Sequence, residues 1–219
     1  MKKLVKMARL LPLLVFLPGF LSCSRAEPTI HFAFMELVYY PGRNGPEERF
    51  SFFVLPEDDD GVGNLDELYL YHDREGLRWF FTSNDWIKYE EEGKIWIGSR
   101  SIAMHDGTPL PRGLYRAVLV NMGGESTERR FTFDAPETPP HPFPSFSVDE
   151  GIFAIDSLYP VNHFIAYDQA GNAIQTITVP GTEGNLWDLR LSPAARTIAL
   201  WAEDPTMHIS ALTDATAIR

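Results

Sequence analysis

From residue 29 to residue 134 the sequence has almost no helical periodicity. Short runs of β-branched, aromatic and aliphatic residues alternate there with clusters of Gly, Pro, Asn and Asp. Strands and their turns need this pattern: pleated segments with a two-residue side-chain period, divided by residues that accept tight backbone. Seven strands are predicted, at Ile30–Tyr40, Arg49–Leu55, Glu67–His72, Leu77–Thr82, Lys94–Ser99, Gly113–Asn121 and Glu128–Phe133. Alternation assigns their faces. Leu68 and Leu70 share one face and Tyr69 and Tyr71 the other, while Phe131 and Phe133 lie opposite Arg130 and Thr132. Seven strands over about 105 residues, with frequent turns, predict an all-β fold built as a sandwich.

A boundary follows. Pro136, Pro139, Pro140, Pro142 and Pro144 fall within nine residues of the segment 135–146. Proline lacks the N–H that a ladder needs and fixes φ, so this segment reads as an extended, stiff linker. Residues 147–219 read as a smaller β-rich unit, with strands at Ile152–Ile155, His163–Tyr167, Ala173–Val179, Trp187–Leu191, Thr197–Ala202 and Met207–Leu212. The run Leu191–Leu200 resembles a β-propeller repeat, but the unit is shorter than two blades, and a small sandwich or a strand-rich cap on the first domain is the expectation.

The N-terminus has the character of an export segment. Lys2, Lys3, Lys6 and Arg9 precede an apolar run from Leu10 to Leu21, too short to span a bilayer of about 30 Å. The single cysteine of the chain, Cys23, follows immediately. Phe20-Leu21-Ser22-Cys23 resembles the lipobox of bacterial lipoproteins, in the relaxed form seen in spirochaetes. The resemblance implies cleavage after Ser22, a diacylglycerol and further acyl chains on Cys23, and a lipidated tether over residues 23–28. Two or three acyl chains suffice for stable membrane attachment. Ser24 after the cysteine, by resemblance to enterobacterial sorting, favours the outer membrane.

Removing residues 1–22 takes away four basic residues and no acidic one, so the net charge falls from −11 to −15. An acidic body of this kind stands off anionic head groups, and it lacks the broad basic face that nucleic-acid binding requires.

The stretch from Leu110 through Gly113 and Tyr115 to Val120, then Met122-Gly123-Gly124, resembles the E–F corner, F strand and F–G hairpin of immunoglobulin and fibronectin type III domains. The resemblance implies that the Tyr115 hydroxyl bonds back to the corner backbone and that Gly113 makes the tight corner. Ala117 stands where antibody domains carry a cysteine, so the likeness is to disulfide-free members.

Candidate sites are few. Glu57 to Glu67 is the densest acidic stretch; Asp58, Asp60 and Glu67 fall at positions 3, 5 and 12 of a calcium-loop register, but Pro56 occupies the first ligand position. The alternative is a solvated loop between strands. The six histidines show no metal-ligand spacing. No nucleophile motif is present, and neither a small-molecule substrate nor enzymatic activity is expected. Trp79, Trp86 and Trp96 belong to an aromatic cluster that a single core cannot bury on both faces; ordinary core with an inter-domain contact is the expectation, and an exposed indole that stacks on a sugar or anchors a partner is the alternative. Arg112, Arg116, Arg129 and Arg130 gather near the last two strands of the first unit, where Arg116 and Arg130 would share an outer face, either receiving a carboxylate partner or pairing with Glu125 and Glu128.

These observations predict a lipid-anchored cell-envelope lipoprotein that acts as a non-enzymatic scaffold or protein-interaction module with an envelope protein as partner. A glycan-binding module using the tryptophans and a calcium-dependent adhesion module are the alternatives.

Overall fold

A computed structural model describes residues 26–218. The expected export segment, Cys23 and the first tether residues lie outside them. Before the proline segment the chain forms eight strands: β1 (Thr29–Tyr40), β2 (Glu47–Glu57), β3 (Leu65–His72), β4 (Leu77–Thr82), β5 (Ile87–Glu91), β6 (Lys94–Ile102), β7 (Gly113–Asn121) and β8 (Ser126–Phe133). One sheet runs β4-β3-β7-β8, and it faces the order β1-β2-β6-β5. Leu37, Phe50, Phe52 and Val54 of the second pack with Leu68, Leu70, Ala117 and Leu119 of the first, all buried in one core. Four strands in the order A-B-E-D against four in the order C′-C-F-G is the immunoglobulin-like sandwich.

The extra strand, β5, carries Ile-Lys-Tyr-Glu-Glu and reads as polar. Its pairing comes from a two-residue hairpin with β6. Glu92 and Gly93 both have positive φ, 51° and 74°, as a type I′ turn needs. At the E–F corner the Tyr115 hydroxyl donates to the Pro111 carbonyl at 2.7 Å. Gly113 adopts φ 123°, a backbone that a side chain would strain.

After the proline segment come β9 (Ser145–Asp149), β10 (Ile152–Asp156), β11 (Val161–Tyr167), β12 (Ala173–Thr178), β13 (Glu183–Asn185), β14 (Thr197–Asp204), β15 (Ile209–Leu212) and β16 (Thr216–Ala217). β9, β10 and β13 form a three-stranded sheet. The others do not form a sheet of their own. β15 pairs in parallel with β1, with Leu37 opposite Ile209, Val38 opposite Ser210 and Tyr39 opposite Ala211. A nine-stranded sheet results, in the order β12-β11-β14-β15-β1-β2-β6-β5, with β16 alongside β14. The residues on either side of the proline segment therefore share one hydrogen-bonded layer. Phe153, Ile155, Phe164, Ile198 and Leu200 build a second apolar cluster under this extension. Tyr159, Ala202, Ile209 and Ala211 belong to the first core instead.

Two local expectations are corrected. Trp187–Leu191 is not a strand: residues 186–189 form a 3₁₀ turn whose first free N–H, from Trp187, is capped by the Asn185 side chain at 2.9 Å. The turn ends at Arg190 with φ 51°, and Pro193 follows shortly. The linker also ends sooner than expected, because Ser145 and Phe146 already pair with β10. Between residues 134 and 144 there is no regular structure, yet the segment is pinned. Arg112 donates to the Ala135 and Pro136 carbonyls at 2.9 and 2.6 Å. His141 meets Asp204 at 3.0 Å and its ring lies 4.8 Å from that of Tyr159.

Candidate functional site

β1 explains why the large sheet has two apolar faces. Its odd-numbered residues Leu37 and Tyr39 enter the core, while Phe34, Glu36, Val38 and Tyr40 alternate onto the opposite face. That opposite face holds a trough of about 640 Å³ lined from β5 at one end of the sheet (Tyr89) to β12 at the other (Thr176). Laid flat, eight strands in a row would separate those residues by roughly 34 Å. Both line one recess, so the sheet curls around it, as twisted sheets of this width do.

The trough is walled by rings and dotted with polar tips. Tyr40, Phe53, Tyr89, Tyr167 and Trp201 supply aromatic surface. The Phe53 and Tyr89 rings meet edge to face at 4.9 Å. Arg100 passes 5.9 Å over Phe53 and has no carboxylate partner among the described residues. Gly98 makes the close packing possible, since a Cβ there would lie 2.0 Å from the Phe52 carbonyl oxygen. Burial pushes the phenols of Tyr40 and Tyr167 above their ordinary range.

Glu36 is the carboxylate of the trough. Burial raises its pKa, the Ser210 hydroxyl that donates to one of its oxygens opposes the rise, and nearby Glu203 adds to it. Glu203 itself is committed: it accepts from Trp201 Nε1 at 3.0 Å and from His163 Nε2 at 3.3 Å. The Thr178 hydroxyl meets His163 Nδ1 at 3.1 Å; with that hydroxyl as donor, the His163 proton sits on Nε2. This network fixes the indole of Trp201 in the wall. It holds a ring surface in place, and no nucleophile is paired with a base in it.

A second surface lies on the outer face of the smaller sheet. Register places Arg78, Tyr71, Arg116 and Arg130 in one row across β4, β3, β7 and β8. The next row begins with Phe80 and Tyr69, whose rings lie 4.8 Å apart, and Tyr69 stacks on Tyr71 at 5.9 Å. Arg116 lies 4.5 Å over the Tyr71 ring and bonds Asp73 at 2.8 and 3.0 Å. The Arg116 hydrogen bonds hold the Asp73 carboxyl below the usual carboxylate range. Phe80 and Leu114 are exposed.

The structure scatters the residues singled out from sequence. Trp86 is buried, not exposed, because the Thr82–Trp86 turn folds it under the sandwich. Trp79 is half-buried and donates its N–H to the Ala103 carbonyl at 3.2 Å. Trp96 stacks on Tyr89 at 6.2 Å. The indole that stands free is Trp187, at 79% exposure; the strand expectation for 187–191 hid it. Asp58, Asp60 and Glu67 do not assemble as a metal site, and among the described residues no three His, Cys, Asp or Glu side chains are grouped to hold an ion. Asp58 is partly desolvated, but hydrogen bonds from Asn64 (3.0 Å), the Asp60 N–H (2.9 Å) and Asn121 (3.3 Å) outweigh that and lower its pKa. Its oxygens organise the loop. Glu67 accepts from the Tyr69 hydroxyl at 2.8 Å. Arg116 and Arg130 do share the outer face, whereas Arg112 turns inward and Arg129 donates to the Ile30 carbonyl at 3.2 Å. Sequence reading passed over Glu36, Arg100, Tyr167 and Trp201. A charge inside the apolar run Phe-Ala-Phe-Met-Glu-Leu-Val was the available signal for Glu36. The others lie on β6, β11 and β14, which reach one recess only through the pairing of β15 with β1.

No protein-family model matches the chain, and no curated protein matches its sequence. Solved structures similar to it include the 47-kilodalton lipoprotein Tp47 of Treponema pallidum, with 12% identity, 88% of this chain and 51% of that one covered, and a TM-score of 0.36. Dimeric latent PorU of Porphyromonas gingivalis shows 13% identity over 87% of this chain and 20% of its own, at a TM-score of 0.32. Murine CEACAM1b shows 9% identity over 86% of this chain and 99% of its own, at a TM-score of 0.26. The chain thus spans about half of Tp47 and a fifth of PorU. The fold assignment rests on the strand order described above.

Proposed function

We propose that the chain is a lipid-anchored envelope protein whose immunoglobulin-like sandwich is a non-enzymatic protein-interaction module, held at the membrane through acylated Cys23. The observation that carries the interaction reading is the outer face of β4-β3-β7-β8. It combines the packed rings of Tyr69, Tyr71 and Phe80 with Arg78, Arg116 and Arg130 on a chain whose net charge is −11. Tyr and Arg are residue types that concentrate binding energy at protein interfaces: Tyr buries a large rigid ring at little entropic cost and keeps a polar end, and Arg presents a planar fork that stacks and pairs. Arg116 is bridged to Asp73 and Glu128, and Arg130 to Glu128 at 3.3 Å, while Arg78 makes no ion pair among the described residues; the rings therefore supply most of the contact, and the guanidiniums orient a partner that offers carboxylates. Anchoring raises the effective concentration of this face for other envelope proteins.

A photo-crosslinking amino acid at position 80, in intact cells, tests the reading. The expected result is a discrete protein adduct that disappears in a Tyr71→Ala/Arg130→Glu variant and does not form with the crosslinker at position 183. An adduct pattern that ignores those substitutions removes this face as the interface. Failure of palmitate to label the wild-type chain, with Cys23→Ala equally membrane-bound, removes the anchor.

A further inference from the structure

We propose that the trough of the large sheet is a binding site for a short, uncharged oligosaccharide, separate from the protein-binding face. Its walls carry rings from four different strands, Tyr40, Tyr89, Tyr167 and Trp201; Arg49 covers one face of Tyr40 at 4.4 Å and Trp96 stacks on Tyr89 at 6.2 Å, so Tyr167 and Trp201 offer the stacking surfaces. The negative face of an aromatic ring attracts the polarised C–H groups on the flat side of a pyranose. Hydroxyls then need partners around the ring plane. The phenols of Tyr40, Tyr89 and Tyr167 and the guanidinium of Arg100 make no side-chain hydrogen bond with other described residues, and all four line the recess. Glu36 adds an acceptor whose second oxygen is free of the Ser210 bond.

The same geometry argues against an extended peptide. The strands along most of the floor, β6, β2, β1, β15, β14 and β11, are each hydrogen-bonded on both sides. They offer no open edge for strand addition, so a ligand here meets side chains only. Charge selects further. The lining holds one carboxylate, Glu36, and one guanidinium, Arg100, a balance that favours neither a uronate nor a cationic sugar. The volume of about 640 Å³ lies within the range of small-ligand sites.

The test is calorimetry of the full chain, in a detergent without a sugar head group, against cellotetraose, maltotetraose and the N-acetylglucosamine tetramer. At least one of them binds with one-to-one stoichiometry. Trp201→Ala and Arg100→Ala each weaken that binding by about tenfold, the size of one lost stacking or charge-assisted contact. Tyr167→Phe, which removes a hydroxyl and keeps the ring, weakens it less. Phe80→Asp leaves it unchanged. Arg100 is exposed, so its variant folds even where Trp201→Ala does not. Absence of binding by all three sugars at millimolar concentration overturns the proposal. So does binding that Arg100→Ala and Tyr167→Phe leave intact, or tighter binding of a glucuronate oligomer.

Discussion

Arg112 and Glu48 form a buried, two-pronged ion pair, with Nη1–Oε2 at 2.7 Å and Nη2–Oε1 at 2.9 Å. Arg112 also reaches the carbonyls of Leu110, Ala135 and Pro136, and Glu48 accepts from the Leu110 N–H at 3.0 Å. One guanidinium thus joins β2, the E–F corner and the start of the proline segment. The pair is 14% and 6% exposed, so loss of either partner strands a charge away from water. Arg112→Ala is expected to lower unfolding stability by about 3–5 kcal/mol in urea titration. Arg112→Lys, which keeps the charge but not the planar fork, should recover only part of it. A loss below about 1 kcal/mol would show that the pair is incidental.

Tyr115 makes a comparison at the same corner. Tyr115→Phe removes its hydrogen bond to Pro111 and leaves the ring stacked on Phe131 and edge to face with Phe50 and Phe133. The expected cost is about 0.5–1.5 kcal/mol, with the near-ultraviolet spectrum preserved. Tyr115→Ala should cost several-fold more, as a cavity in the core.

Asp204 sets an acid limit. The hydrogen bond from His141 lowers its carboxyl pKa, and the N–H groups of Met207 and Thr206 add to this against desolvation. The folded pKa lies below the unfolded one, so this contribution is present above the ordinary carboxylate range and is lost as pH falls through the folded value. Melting temperature should therefore decline on acidification, and Asp204→Asn should flatten that part of the decline. An unchanged profile in the variant would assign the acid limb to other carboxylates.

Glu36 has the opposite sign. Its pKa is raised in the folded protein, chiefly by burial. The folded state then binds more protons than the unfolded state between the ordinary and the raised value, and stability falls as pH rises through that window. Glu36→Gln keeps an acceptor for Ser210 and cannot ionise. Its melting temperature is expected to match the wild type in acid and to exceed it near neutrality. A variant less stable at neutral pH would mean that the carboxylate contributes to the fold.

The parallel ladder between β1 and β15 makes a prediction about cooperativity. Leu37 lies at that seam with no exposure, and Ile209 and Ala211 share its core. Leu37→Ala is expected to cost about 2–5 kcal/mol. Far-ultraviolet and tryptophan signals should fall in one coincident transition, in the wild type and in the variant alike. Two separated transitions would show that the strands after the proline segment melt on their own.

Local pattern was enough for what depends on near neighbours. Period-two alternation placed Leu68 and Leu70 inside and Tyr69 and Tyr71 outside, because side chains on a strand must point to opposite faces. The segment around Tyr115 carried the E–F corner, since its bond spans four residues. Proline density marked the break in regular structure after residue 134. What lay beyond reach was everything set by pairing between distant strands. Nothing local to Ile209–Leu212 says that it joins β1 across some 170 residues. That single pairing turns two sheets into one and curls it. It also brings Tyr40, Arg100, Tyr167 and Trp201 around a common recess. A strand's sequence states which of its faces is apolar; which partner covers that face, and whether any does, is decided only by the assembled sheet.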